Sequence, residues 1–231
     1  MGDWYIGAYW GPRKESAHMC AERLASCLND LAAVSKVFAA WYEKGKSRRN
    51  ALRRTVEPTQ DALVDVLNAE RNRRDLSKAV IDELGFRVGL WNGASEEQAA
   101  SLSISCGMYA QNEYLWNAVV LNFPERLGDL GKKEPALKAL LAIVRAWEPE
   151  WAGVMSHSSI ETRLFTPGSP FVDWMIYLRR DDINRSRVPP SASVVNVDDL
   201  GTIIITQDVP VDANNQEHVQ NIQVVEAAIS A

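Results

Sequence analysis

The sequence predicts an α+β protein, a mixed but mainly antiparallel sheet with helices packed against it, folded as a single domain over residues 1–231. Three observations lead there. Between Glu96 and Pro124, Ala100, Leu102, Ile104 and Cys106 alternate with Ser101, Ser103 and Ser105, the period of a strand with one apolar and one polar side. The β-prone run from Tyr114 to Leu121 follows, so the two stretches form a hairpin at the centre of the sheet. Elsewhere, Glu15 to Val34 and Pro135 to Trp147 carry apolar residues at three- and four-residue steps, the mark of helices with one buried face. No repeat, low-complexity tract or long linker divides the chain.

Taken in order, Trp4 to Trp10 is aromatic and β-branched and stops at the turn pair Gly11-Pro12, which predicts a first strand. Gly7 inside it marks a bulge or a close approach by another backbone. The helix from Glu15 to Val34 turns Cys20, Leu24, Cys27, Leu28 and Leu31 toward the sheet. Val37 to Tyr42 reads as a short strand, and Pro58-Thr59 opens a helix carrying Leu63, Val66 and Leu67. Ser77 to Leu84 reads as a turn of helix, and Phe86 to Leu90 as a strand running into the turn former Asn92-Gly93.

Beyond the central hairpin, Pro135 starts the clearest amphipathic helix, with Leu137, Leu140, Leu141, Val144 and Trp147 on one face, and Pro149 ends it. Trp151 to Met155 is a short strand, His157 to Pro170 a loop, and Phe171 to Leu178 another strand. Val194-Val195 and Ile203 to Ile205 flank Asp198-Asp199-Leu200-Gly201, a hairpin with an acidic turn. Asn214-Asn215 caps a final helix carrying Val219, Ile222, Val225 and Ile229.

Composition narrows the function classes. An apolar fraction of 46% and a charged fraction of 24% remove disordered and fibrous proteins. No stretch reaches the roughly 20 apolar residues that span a bilayer, and Met1 to Tyr9 lacks the pattern of a signal peptide, so a cytoplasmic protein with no membrane partner is expected. Cys20, Cys27 and Cys106 have no metal spacing and read as reduced core thiols. The net charge of −5 is concentrated late in the chain, where eight acids from Asp181 onward stand against Arg185 and Arg187.

The chemistry-bearing patterns are absent. There is no Gly-x-Ser-x-Gly, phosphate-binding glycine loop, His-x-x-x-His or Cys-x-x-Cys, so no catalytic residue, metal or cofactor is predicted. Cys106 lies on the apolar side of its strand, which speaks against pairing with His157. Asp181-Asp182 and Asp198-Asp199 fall in turn-like contexts. The basic residues Arg48, Arg49, Arg53, Arg54, Arg71, Arg73 and Arg74 would suit nucleic acid, but interspersed acids and the acidic balance weaken that reading. A nucleic-acid-binding domain and a small-molecule enzyme domain with dispersed acids stay as alternatives.

The pattern Gly7-Ala8-Tyr9-Trp10-Gly11-Pro12-Arg13, then Glu15-Ser16 and the helix holding Cys20-Ala21, then Trp41-Tyr42-Glu43-Lys44-Gly45, resembles the immunity protein 52 family of bacterial polymorphic-toxin systems. The later Gly201-Thr202 strand and the Asn215 to His218 helix start are similar in order to that family as well. The resemblance implies a cytoplasmic α+β protein that neutralises a cognate toxin with a restriction-endonuclease-like domain, delivered by a system such as type VI secretion. It implies binding without turnover, no cofactor, no nucleic acid and no membrane partner. An acidic inhibitor would be steered to the basic surface of a nuclease. On that view the expected partner-binding residues are Asp181, Asp182, Asp198 and Asp199, with Trp174 and Trp151 as aromatic neighbours; the alternative is that these acids cap turns and the tryptophans are buried. The family-like positions Trp10, Arg13, Trp41 and Gly45 are expected to hold the fold, Arg13 through an internal carboxylate.

Overall fold

The computed structural model describes residues 2–74, 76–77, 79–179 and 188–229. The chain runs β1 (Trp4–Trp10), α1 (Ala17–Val34), β2 (Trp41–Glu43), α2 (Arg48–Ala51), β3 (Thr55–Val56), α3 (Gln60–Ala69), β4 (Phe86–Trp91), β5 (Ser101–Cys106) and β6 (Asn117–Asn122). It continues α4 (Lys133–Trp147), β7 (Trp151–Ser156), α5 (His157–Thr162), β8 (Met175–Leu178), β9 (Ser193–Val197), β10 (Gly201–Ile205) and α6 (Gln216–Ile229). Among the described residues the strands form one sheet in the order β3-β2-β4-β5-β6-β1-β7-β8-β10-β9. Every neighbouring pair is antiparallel. The β5–β6 hairpin lies near the middle and β1 beside it, with Ile104 opposite Val119 and Ile6 opposite Leu121.

The alternation of side chains sorts each strand between two layers. Ile6, Ala8 and Trp10 of β1 share a face with Leu102, Ile104, Cys106, Val119 and Leu121, and all are buried there with α1, α3 and α4. The stripe Cys20, Ala21, Leu24, Cys27, Leu28 and Leu31 puts α1 on this face, and the Ser16 hydroxyl starts the helix by accepting from the Met19 N–H at 3.3 Å. Glu148 closes α4 in the left-handed region at φ 46°, its N–H donating to the Val144 carbonyl, with Pro149 next in the chain.

On the opposite face, Tyr5, Tyr9, Trp151, Met155, Ile176 and Ile204 are buried with Phe171, Val172 and the α6 residues Ile222, Val225 and Ile229. That layer covers only the β1, β7, β8 and β10 half. Over β4, β5 and β6, Arg87 and Ser103 are exposed, while Gly89, Trp91, Ser105, Ala118 and Val120 are partly exposed. Apart from the buried Ser101, the serine side of the central hairpin is therefore a solvent-facing sheet surface.

Several elements differ from the sequence reading, each for a local reason. The register of β1 with β6 and β7 runs unbroken through Gly7, so there is no bulge. A Cβ at Gly7 would instead sit 2.6 Å from Tyr9 Oη and 2.8 Å from Met155 Cε, side chains of the overlying layer. Lys36–Phe38 is a turn of 3-10 helix rather than strand, because Ser35 Oγ accepts from the Val37 N–H at 3.3 Å. The stretch after His157 starts as α5, capped by Ser156 Oγ, which accepts from the Ser159 N–H at 3.1 Å. β6 begins only at Asn117, whose fully buried amide accepts from the Met108 N–H at 2.9 Å and donates to the Gly11 carbonyl at 2.7 Å.

Candidate functional site

The sequence-predicted residues fall into three places. Trp10 and Trp147 stack at 5.7 Å, and the Arg13 guanidinium lies 4.9 Å from the Trp10 ring. Arg13 Nη2 donates to the Trp147 carbonyl at 2.8 Å, and Arg13 Nε pairs at 3.2 Å with Glu15, whose side chain is 2% exposed. Trp41 is buried and stacks on Phe38 at 6.1 Å. Gly45 lets the chain fold tightly, since a Cβ there would lie 2.9 Å from the Ala51 backbone nitrogen.

Trp151 and Trp174 are enclosed, at 2% and 0% exposure, so neither presents an aromatic surface to a partner. Their indole N–H groups are consumed internally, Trp151 donating to the Pro167 carbonyl at 2.8 Å and Trp174 to the Gln207 carbonyl at 3.0 Å. The physical reason is β7 and β8 lying inside the sheet, where a large ring gains most by burial. Asp198 and Asp199 are exposed in the β9–β10 turn, at the edge of the sheet. Asp198 takes φ 45° and reaches Arg145 at 3.4 Å. Asp181 and Asp182 lie outside the described residues.

The opposite end of the sheet is basic. Lys44, Lys46, Arg48, Arg49, Arg53 and Arg54 fall within eleven residues that contain no acid, all six exposed, around α2 and β3. Beside them the loop after β2 and the β4–β5 loop flank an open hollow of about 650 Å³, lined among others by Lys44, Gly45, Arg48, Trp91, Glu96 and Ala99. Arg48 lies 6.0 Å from the Trp91 ring and donates to the Gly93 carbonyl at 3.4 Å. A second hollow of about 310 Å³, lined by Arg87, Ser105, Tyr114 and Trp116 among others, lies farther along the open sheet face.

Burial disfavours the charged forms of several interior groups. Desolvation pushes the Cys27 thiol up to about 12 and also raises Tyr5 and Tyr9. Cys106 is raised by its hydrogen bond with Cys20 and by burial. Asp173, fully buried, is raised by desolvation although its Oδ2 accepts from the Ser156 N–H at 2.9 Å and hydroxyl at 3.1 Å. Cys106 faces the α1 layer, whereas His157 stacks on Tyr5 at 4.6 Å on the other side of the sheet. The two do not meet.

Sequence reasoning missed the open face and the cavity. The serine alternation of β5 marked a polar side, but the cavity joins residues some fifty positions apart and no local pattern signals that. What the arrangement offers is recognition area: an acidic turn at one edge, an aromatic and basic hollow at the other, and a polar sheet surface toward the hollow.

Among the described residues, no helix is long and apolar enough to cross a membrane. No curated protein matches the chain. Among solved structures, the Pseudomonas aeruginosa T6SS protein PA0821 is similar in fold, with a TM-score of 0.61 over 98% of this chain and 72% of its own, at 13% identity. The model of the family described as immunity protein 52 matches residues 2–231. With nearly every residue inside that match, from the Trp10–Arg13 cluster to α6, the chain belongs to the immunity protein 52 family.

Proposed function

We propose that this protein binds and neutralises a cognate secreted toxin of the nuclease type, with a restriction-endonuclease-like domain, in the cytoplasm of the producing cell and its siblings. The observation that carries the reading is the family match across residues 2–231. Its mode of action is occupancy of the toxin without turnover. A standard interface of about 1,600 Å² supplies the required tightness when its centre holds good anchors.

The exposed turn Asp198-Asp199 supports an electrostatic approach to a basic nuclease surface, and Asp181 and Asp182 belong to the same acidic part of the sequence. Buried Trp151 and Trp174 support this edge from within, shaping β7 and β8 rather than touching the toxin. Co-expression with the toxin encoded beside this gene tests the reading: cells survive with the protein and die without it. Charge reversal of Asp181, Asp182, Asp198 and Asp199 slows association at low salt; unchanged association would remove the acidic edge from the interface.

A further inference from the structure

The acidic edge accounts for one end of the sheet, and the basic end is left unassigned. We infer that the hollow between the loop after β2 and the β4–β5 loop is a receptor for an acidic segment of the partner protein, with a bulky apolar side chain seated on its apolar wall while flanking carboxylates pair with Lys44 and Arg48. The inference rests on the reading of this chain as a toxin-binding protein and names what the toxin brings to this surface.

Three observations carry it. The hollow, about 650 Å³, lies within the size range of recognition pockets, and Ala51, Trp91, Ala94, Ala99 and Ala100 give it apolar walls. Trp91 and Arg48 belong to the residue types that dominate binding energy at interfaces, and Arg48 is held over the indole at 6.0 Å. Most of the positive charge beside the hollow has no ion-pair partner among the described residues. Of Lys44, Lys46, Arg48, Arg49, Arg53 and Arg54, only Arg54 has a carboxylate partner among the described residues, namely Glu43. An occupant bearing carboxylates removes that self-repulsion; a neutral or basic one does not.

The same cations could draw a nucleic acid, but the walls argue for protein. Ala51, Ala94, Ala99 and Ala100 give the hollow apolar walls that suit an apolar side chain rather than phosphates, and Glu96 confines the positive charge to the Lys44 and Arg48 side. Glu96 also orients the occupant, whose carboxylates must lie on the Lys44 and Arg48 side.

The test uses the full chain and a labelled acidic peptide with a central phenylalanine, read by fluorescence anisotropy, beside a lysine-for-acid version of the peptide and a short duplex DNA. The acidic peptide binds and weakens as salt rises, and Arg48→Glu reduces its affinity by about tenfold or more. Ala99→Leu, which puts bulk on the apolar wall of the hollow, reduces it similarly, and Arg48→Lys retains part of it. Peptide binding absent, or unmoved by Arg48→Glu and Ala99→Leu, overturns the inference; so does DNA bound as tightly as the acidic peptide. Capture of the neighbour-encoded toxin separates the two readings. If wild-type protein captures the toxin and Arg48→Glu captures it equally well, the cavity assignment falls and the toxin-binding reading stands. If the wild type captures no toxin, the toxin reading falls, and with it the assignment of the cavity to the toxin.

Discussion

Arg23 donates through Nε to Oε1 of Glu15 at 2.7 Å, closing an ion pair on a carboxylate whose side chain is only 2% exposed. Arg13 approaches the other oxygen at 3.2 Å, and Arg23 Nη1 goes on to the Ala146 carbonyl at 2.8 Å and to Glu148 at 3.2 Å. The cluster thus ties the start of α1 to the end of α4 and holds Arg13 over Trp10. Removing one cation leaves a buried charge short of partners. Arg23→Ala is expected to cost about 2–3 kcal/mol and Glu15→Ala about 3 kcal/mol. In urea denaturation the double variant should cost less than the sum of the singles, because each single already breaks the same contact.

Gly45 is expected to resist substitution for a steric reason. The Cβ of Gly45→Ala would lie 2.9 Å from the Ala51 backbone nitrogen and 2.7 Å from Asn50 Oδ1. Backbone cannot yield cheaply, so the change should cost about 2 kcal/mol. Gly131→Ala, whose Cβ meets only ordinary contacts with Leu127 at 3.5 Å, is the control and should shift stability by no more than about 0.5 kcal/mol. Denaturation midpoints of the two variants decide the comparison.

Asp173 predicts a pH dependence. Burial raises its folded-state value above that of the unfolded chain, so its contribution to stability is full below the unfolded value and is lost as pH rises through the folded one. Asp173→Asn keeps an oxygen to accept from Ser156 and removes the charge; its other position replaces Oδ1, which has no hydrogen-bond partner. The variant should be at least as stable as wild type at neutral pH and lose that relative advantage at about pH 4. Denaturant unfolding at the two pH values, fitted with a common slope, reads the difference.

The thiols give a probe of opening. Cys20, Cys27 and Cys106 are all fully buried. Native protein should therefore resist a thiol-specific reagent, reacting at the rate of global or local unfolding, while denatured protein reacts at three sites. Rapid modification of any thiol in native buffer would contradict the packing of α1 on the sheet.

Much of the scaffold is legible in the sequence where one local rule decides. Trp4–Trp10, the α1 stripe and the β9–β10 hairpin follow from side-chain periodicity and from turn residues. Short elements do not, because one hydroxyl decides them: Ser35 makes a turn where β-prone residues suggest strand, and Ser156 starts a helix in a polar stretch. The enclosure of Trp151 and Trp174 depends on strand order, which brings β7 beside β1 across about 140 residues and is set by long-range pairing. The Arg48–Trp91 cavity is of the same kind. Its charge was visible as a run of arginines, and its shape exists only after the two loops meet.

Inhibition by occupancy can be read out by titrating the purified neighbour-encoded toxin. Toxin activity is measured at fixed toxin while this protein is added in increments, with the complex followed by size-exclusion chromatography. Activity should fall linearly to zero at a fixed stoichiometric ratio, with a stable complex and recovery of unaltered toxin on dissociation. Toxin that stays active at excess protein, or that is inactivated by substoichiometric amounts through chemical change, would contradict it.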